Sequence, residues 1–364
     1  MGCDAFEIKR RELFVRASGW LALGVAISCV AEPADAAEND SHFTKTASIA
    51  LNLKKPSAIG AGNDSAIYVA GDDAVLTLDA RGHEASRHRL EGIPSAMLEL
   101  GPGKLLIALR YRMVTFDPGT GSVMEWARLD EKAWITSLAA DEENVYVADA
   151  GNRIVLRFGR DGALKNRIGD RDPARDIPGF VVPSPYFSVA LDPMGALWAA
   201  NPGKHGVECY RPDGSLVSSW YRSGADREGF CGCCNPAYIA FLSDGAMVTV
   251  EKGLNRVKLY APDMTVREVV TGPATAAELE AAFAGPIKTP PAGLAVTPSG
   301  HILLLDAENA VIDVFEKTTL NRICRTSRTG PTNSPLRAAT KTGRPVRNRA
   351  PGNDWPGLRP KEVG

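Results

Sequence analysis

The strongest constraint on this fold is a phrase that the chain repeats six times between residues 56 and 315. Each copy has an apolar first strand, a turn ending in Gly or Asn, a second β-rich run and a third run closing on Phe, Tyr or Leu. The clearest copies begin at residues 236 and 291, and looser ones at 56, 94, 135 and 186. Successive second strands start near Ile67, Leu105, Val145, Leu197, Met247 and Ile302, which lie 38 to 55 residues apart. This spacing is near the roughly 40–50 residues of propeller repeats, so we expect an all-β, six-bladed β-propeller over residues 43–317.

Two details of the repeat predict how the ring is built. The spacing is longer after the third, fourth and fifth copies, which predicts loop insertions after those blades. The last copy shows only three strands, so we expect a strand near residues 44–53 to complete it and to close the ring.

The N-terminal segment is typical of an export signal. Basic residues that include Arg10 and Arg11 precede an apolar stretch from Trp20 to Val30, and residues 34–36 form a small-x-small cleavage site. Residues 1–36 therefore resemble a twin-arginine signal peptide, which predicts a periplasmic or secreted protein. The apolar stretch is too short for a transmembrane anchor. A lipoprotein attached through Cys29 and a cytoplasmic protein are the alternatives.

Residues 318–364 differ in composition from the repeat region. They carry ten Lys or Arg against one Asp and one Glu, with little apolar periodicity. We expect a disordered basic tail, because such a segment buries too little apolar surface to fold. The whole chain has a net charge of −1, which argues against a nucleic-acid partner. A monomer is expected.

Cysteines cluster at the start of the fifth repeat. Cys231, Cys233 and Cys234 fall within residues 229–236, directly before the inner strand, and we expect them at the rim of the channel. Three interpretations stay open. The cysteines, with Cys209, form disulfides that staple the loop; they bind copper or zinc, with Cys209 and His205 as further ligands; or they form a redox-active thiol pair.

A redox-active pair would need a helix N-terminus or an adjacent cation to lower a thiol pKa; no helix is evident from the sequence, and Arg227 is near. Asn235 follows the cluster directly. Glu251 and Lys252 stand at the matching rim turn, where they are either supporting partners of the cysteines or a solvated pair.

Residues 148–158, 254–260 and 306–315 resemble the core signature of NHL repeats, and the CxCCNP segment resembles a subset of exported bacterial NHL-repeat proteins. That resemblance implies a six-bladed propeller and no particular chemistry. From the residues themselves, Gly151 and Asn152 suit the positive φ of a turn that follows Asp149, and Arg153 is expected to pair with an acid on a neighbouring strand. A binding role for Asp149 and Arg153 is the alternative.

The sequence favours a binding or scaffold module over an enzyme, with a protein, glycan or envelope component as its ligand. The first alternative is a periplasmic copper, zinc or redox protein that uses the CxCC cluster. The second is an enzyme similar to propeller lactonases or lyases. No certain cofactor is predicted.

Overall fold

A computed structural model describes residues 41–286 and 288–319 of the chain. These residues form six four-stranded antiparallel sheets, which confirms the expected six-bladed all-β propeller. The predicted signal peptide lies outside the described residues, as does nearly all of the predicted tail. Thr318 and Thr319, which were assigned to that tail, instead end the last strand.

The first described strand belongs to the last blade, and three complete blades follow it. That strand is β1 (Ser41–Ala50). Blade one consists of β2 (Pro56–Ala61), β3 (Ile67–Gly71), β4 (Ala74–Leu78) and β5 (Glu84–Arg89). Blade two consists of β6 (Ala96–Gly101), β7 (Lys104–Leu109), β8 (Arg112–Phe116) and β9 (Val123–Arg128). Blade three consists of β10 (Ile135–Ala140), β11 (Asn144–Asp149), β12 (Ile154–Gly159) and β13 (Leu164–Ile168).

The second half of the ring repeats this plan with longer connections. Blade four consists of β14 (Val189–Leu191), β15 (Leu197–Asn201), β16 (Gly206–Tyr210) and β17 (Leu216–Tyr221). Blade five consists of β18 (Tyr238–Phe241), β19 (Met247–Glu251), β20 (Arg256–Tyr260) and β21 (Val266–Thr271). Blade six consists of β22 (Gly293–Val296), β23 (Ile302–Asp306), β24 (Val311–Thr319) and β1. Short 3₁₀ turns span Pro173–Arg175 and Pro202–Lys204, and the helix α1 spans Ala276–Ala284.

The core lies between the blades, because the middle strands bury both of their faces. Strand β11 shows the rule: Val145 and Val147 pack toward blade two, while Tyr146 and Ala148 pack toward blade four. This alternation is the period of two that the sequence pattern predicted. The first strands of neighbouring blades contact one another around the axis and form a closed inner ring.

Strand β1 closes the ring as expected, although it spans residues 41–50 rather than 44–53. It pairs antiparallel with β24, with Ala50 opposite Val311 and Phe43 opposite Lys317. The side chain of Phe43 is buried in the apolar layer between blades five and six. The two ends of the described chain therefore meet in one sheet.

The three long connections are residues 169–188, 222–237 and 272–292, after blades three, four and five as predicted. Each runs from the fourth strand of one blade to the first strand of the next. In an antiparallel blade these connections share a face with the hairpins that join second and third strands. We call this the cysteine face. Within the described residues no helix has the length and apolar character needed to cross a membrane.

Candidate functional site

The cysteine turn, residues 229–236, lies on the cysteine face in the connection from β17 to β18. Phe230 anchors it: this fully buried ring packs against Trp220 and Tyr260, with centroids 5.8 and 5.9 Å away. Gly232 has a φ of +78°, in the left-handed region that favours glycine. Aromatic packing of Phe230 therefore anchors the turn, and Gly232 supplies the left-handed backbone conformation within it.

A buried ion cluster supports the turn from blade five. Glu251 accepts from Arg256 Nε at 2.7 Å and lies 3.1 Å from Lys258 Nζ, and all three side chains are 0% exposed. Both cations also donate to the carbonyl oxygen of Gly229, at 3.0 and 2.7 Å. Burial lowers the pKa of Lys258 to about 8, although the negative charge of Glu251 acts to raise it. Glu251 is therefore a structural support beneath the turn, and it does not form a solvated pair with Lys252.

Asn235 clamps the turn to the hairpin between β19 and β20. Its Nδ2 donates to the carbonyl oxygen of Cys231 at 2.7 Å, and its Oδ1 accepts from the backbone N–H of Lys252 at 2.9 Å. On the other side, the ring Nε2 of His205 lies 2.6 Å from the carbonyl oxygen of Gly232. These contacts join two neighbouring blades through the cysteine turn. His205 therefore holds the turn in place through a backbone atom.

Cys233 and Cys234 form the chemical centre of the turn, and we call them the dithiol. Their Sγ atoms lie 2.9 Å apart, closer than two sulfurs in ordinary nonbonded contact. Cys234 is only 1% exposed, whereas Cys233 is exposed to solvent. Ser184 Oγ donates to Cys234 Sγ at 3.3 Å and accepts in turn from Lys252 Nζ at 2.9 Å. The dithiol thus has one buried sulfur beside a cation and one sulfur exposed to solvent.

The surroundings of the dithiol favour one negative charge. Burial acts to raise the pKa of the Cys234 thiol, but hydrogen bonds from Cys233, Lys252 and Ser184, with the Lys252 charge, outweigh it and lower the pKa. The pKa of Cys233 is raised, because its thiol donates to Cys234. The pair therefore loses its first proton more readily than a lone thiol does and retains the second more tightly.

The other two propeller cysteines lie outside this centre. Cys231 faces Glu251; burial first, and then that carboxylate, raise its pKa to about 11. Cys209 lies on β16, where burial and the charge of Asp192 raise its pKa to about 11 as well. All four cysteines of the described chain are free thiols. In that same part of the chain, no three His, Cys, Asp or Glu side chains converge as metal ligands would.

Sequence reasoning named Lys252 as a possible partner of the cysteines but missed Ser184 and Tyr186. Lys252 supplies the cation, whereas the expected Arg227 turns away and donates to the carbonyl oxygen of Arg267 at 3.5 Å. Ser184 reaches the site from the connection after blade three. The ring of Tyr186 lies under Lys252, with its centroid 4.9 Å from Nζ. Only the fold brings these residues to Cys234.

The rim turn of blade three has a structural role that differs from the one predicted. Asp149 accepts from the backbone N–H of Trp134 at 2.9 Å and from Asn152 Nδ2 at 2.8 Å, so it closes its own hairpin. The residue with positive φ is Arg153, at 59°, and not Gly151 or Asn152. Arg153 is exposed and forms no ion pair with any described residue.

The central channel is a separate cavity, and its described lining contains no residue of the cysteine turn. Its narrow cavity of about 190 Å³ is lined by small, aliphatic and hydroxyl side chains from all six inner strands, and by Tyr238. Several hydroxyls bridge neighbouring blades; Thr136 Oγ1, for example, donates to the carbonyl oxygen of Phe187 at 2.6 Å. Tyr238 contacts Tyr186 edge-on, with centroids 6.0 Å apart. The described lining contains no acid or histidine, so the ionisable groups of this region lie at the rim.

A second cavity, which we call the thiol groove, lies between the cysteine turn and α1. It encloses about 400 Å³. The residues that define it are Cys233, Lys252, Leu254, Phe283, Lys288 and Pro290. Helix α1 is fixed there by Leu279, which packs with Cys231 and Leu254. The exposed thiol of the dithiol therefore opens into a preformed, largely apolar cavity.

The fold and the site define a six-bladed β-propeller with a dithiol at its rim. No protein-family model and no curated protein sequence matches the chain. The resemblance to NHL-repeat proteins therefore stays a prediction.

Two solved structures share part of the architecture. One, described as a streptogramin B lyase structure, is 12% identical with a TM-score of 0.49, over 76% of this chain and 98% of that chain. The other is a virginiamycin B lyase from Staphylococcus aureus, 13% identical with a TM-score of 0.48, over 78% of this chain and 89% of that chain. Likeness at this level says nothing about the activity of this chain.

Proposed function

We propose that this propeller is a thiol–disulfide redox protein in which Cys233 and Cys234 exchange two electrons with small disulfides. One observation carries the proposal: two sulfurs lie 2.9 Å apart, one buried beside Lys252 and the other exposed. A thiolate, rather than a thiol, is the nucleophile in disulfide exchange, and a nearby cation favours it. A bond between these adjacent cysteines closes an eight-membered ring, so the peptide that joins them must adjust together with the two side chains.

The reaction balances as two successive substitutions at sulfur. In a minor form of the pair the shared proton lies on Cys234, and in that form the Cys233 thiolate attacks a substrate disulfide RS–SR, forming a Cys233–S–S–R bond and releasing RS⁻. The Cys234 thiol then gives its proton to the released RS⁻. The Cys234 thiolate attacks Cys233 Sγ, which forms the Cys233–Cys234 disulfide and releases a second RS⁻. The dithiol is oxidised by two electrons, and the substrate is reduced to one thiol and one thiolate, which takes its proton from water.

Each supporting residue has a role in these steps. Lys252 stabilises the thiolate of Cys234 by its charge. Ser184 connects the two groups, because its hydroxyl accepts from Lys252 and donates to Cys234. Asn235 holds the turn so that both sulfurs keep their positions. The propeller contributes a rigid rim on which a short, exposed loop can hold this geometry.

The predicted export signal adds a cellular setting to the proposal. Redox-active cysteines stand apart from structural ones by exposure and thiolate character, and the dithiol has both. We propose that the protein works outside the cytoplasm, where disulfides form and persist.

Trapping the mixed disulfide tests the proposal. Reduced protein is mixed with hydroxyethyl disulfide, quenched with acid and examined by peptide mass spectrometry. The wild type should form a Cys233–Cys234 disulfide and release two thiols per protein. Cys234→Ser should accumulate the mixed disulfide on Cys233, and Cys233→Ser should react slowly. Cys209→Ser is the matched control and should behave as the wild type. A mixed disulfide that forms mainly on Cys231 or Cys209 would refute the proposal.

A binding or scaffold role is the second candidate, and it would use the cysteine face. Large apolar side chains are exposed on four connections between blades: Ile93, Trp134, Val181 and Phe283. Exposed apolar groups gathered on one face are typical of an interaction surface. The ligand would be a protein, glycan or envelope component, as the sequence predicts.

Changing these four residues to Ser should abolish retention of such a ligand from an envelope extract. The control changes Val123 and Met124, exposed on the outer strand β9, to Ser, and should retain the ligand. Equal retention by both variants would contradict a binding role for this face. Copper or zinc binding and a lactonase-like or lyase-like activity stay predictions.

A further inference from the structure

The thiol groove has the size and chemistry of a small-molecule site. Its volume of about 400 Å³ falls within the range of ligand pockets and is far too small for the face of a folded protein. Leu254, Phe283 and Pro290 give it apolar walls. Phe283 is 56% exposed at the end of α1, although α1 itself is anchored to the turn. An aromatic ring left open beside a fixed helix is available to stack on a ligand.

The charges along the groove have one sign. Lys252 and Lys288 both line it, and none of its lining residues is an acid. A backbone bridge between Gly253 and Lys288 places Lys288 next to the hairpin that carries Lys252. Two cations on an apolar cavity attract an anionic ligand and repel a cationic one.

The groove also selects which sulfur meets the ligand. Cys233 lines the groove, whereas Cys234 is absent from its lining and is almost fully buried. A bound disulfide would therefore react first with Cys233. Cys234 would then attack the mixed disulfide on Cys233 from the buried side. This order agrees with the two steps of the proposed reaction.

We infer that the thiol groove is a substrate site for small organic disulfides that carry an apolar, preferably aromatic, body and a carboxylate. This inference rests on the proposed function and names its substrate class. The apolar body contacts Phe283 and Leu254, and the carboxylate lies near Lys288. The scissile sulfur then meets Cys233.

A set of three disulfides separates charge from apolar recognition. The probes are dithiodipropionate (aliphatic, anionic), cystamine (aliphatic, cationic) and dithiobis(2-nitrobenzoate) (aromatic, anionic). Each rate of protein oxidation is divided by the rate of the same probe with free cysteine, which removes intrinsic reactivity. We expect dithiodipropionate to exceed cystamine about ten-fold in normalised rate, and the aromatic anion to exceed dithiodipropionate.

Variants assign these preferences to residues. Lys288→Gln should lower the normalised rates of both anions about five-fold at low salt and raise that of cystamine. Phe283→Ser should slow only the aromatic probe. Lys204→Gln, at another lysine of the same face that does not line the groove, is the control. Equal normalised rates for all three probes, or no effect of either variant, would overturn the inference while leaving the proposed redox function intact. Failure of every probe to oxidise the dithiol would instead refute the redox function.

Discussion

Replacing Lys252 by Met tests whether this cation makes the dithiol reactive. Lys252 Nζ lies 2.9 Å from Ser184 Oγ, which lies 3.3 Å from Cys234 Sγ, so the charge is within about 6 Å of the sulfur. A unit charge at that distance contributes about 3 kcal/mol at an effective dielectric constant near 20, or about two pKa units. Because Lys252 is partly exposed, we expect Lys252→Met to raise the first pKa of the dithiol by about one to two units.

Alkylation of the dithiol against pH measures this shift. The rate rises as the pH passes through the thiol pKa, and Lys252 favours the charged form. Removing it must therefore move the rise to higher pH. Near neutral pH the thiolate fraction falls while its nucleophilicity increases, so iodoacetamide should react about three- to ten-fold more slowly. Fragment-resolved mass spectrometry separates Cys233 and Cys234 from Cys231.

Two controls make the result specific to the charge beside Cys234. Lys252→Arg keeps a cation and should preserve most of the low thiol pKa. Lys288→Met removes the other groove lysine and should leave the pH profile nearly unchanged. The reasoning fails if Lys252→Met leaves the profile in place, or if Lys288→Met moves it equally.

Three further changes test the supports of the site and the closure of the ring. Glu251→Gln leaves two buried cations unpaired and should lower the free energy of unfolding in urea by about 3–5 kcal/mol, whereas Glu228→Gln, at an exposed ion pair, should cost less than about 1 kcal/mol. Phe43→Ala should lower the free energy of unfolding by about 3–5 kcal/mol, because it opens a cavity under the closing strand. The control Phe283→Ala, at an exposed side chain, should change it by no more than about 0.5 kcal/mol. Asn235→Ala should cost about 1–3 kcal/mol and speed hydrogen exchange in the cysteine turn; unchanged exchange there would contradict its role as a clamp.

The repeat pattern predicted the ring because apolar residues recur where strand side chains are buried, and that burial is periodic along the chain. Strand β11 alternates its side chains between two apolar layers, and this is what a period-two pattern encodes. The closing strand was predicted because the last repeat of the sequence shows only three of the four strands of a blade. Helix α1 was missed, although Thr275 and Glu278 form a capping box that the sequence displays.

Local turn chemistry was predicted less well, because residue type does not fix which residue of a turn has a positive φ. In four blades the positive φ falls on the last residue of the hairpin between second and third strands: Arg153, His205, Asn255 and Ala310. His205 and Asn255 belong to residue types that are enriched in this conformation, whereas Arg153 and Ala310 do not. The conformation therefore follows from hairpin length rather than from the residue.

The dithiol itself was visible in the sequence, but its activation was not. Cys233 and Cys234 are neighbours in the chain, whereas Ser184 reaches them from the connection after blade three and Lys252 from the hairpin between β19 and β20. Arg227 was the nearest cation in sequence, yet the fold directs it elsewhere. Contacts between loops depend on the packing of whole blades, which a local pattern does not report.

Redox equilibration of the full chain tests the central claim most directly. Protein is equilibrated with glutathione buffers of stepped oxidised-to-reduced ratio, quenched and alkylated, and the fraction of Cys233–Cys234 disulfide is read by mass spectrometry. Bound copper and zinc are measured in the same samples. We predict one reversible two-electron transition, confined to Cys233 and Cys234, with the same midpoint from either direction and without bound metal. A dithiol that stays reduced throughout, that oxidises only irreversibly, or that holds stoichiometric copper or zinc instead would contradict the account.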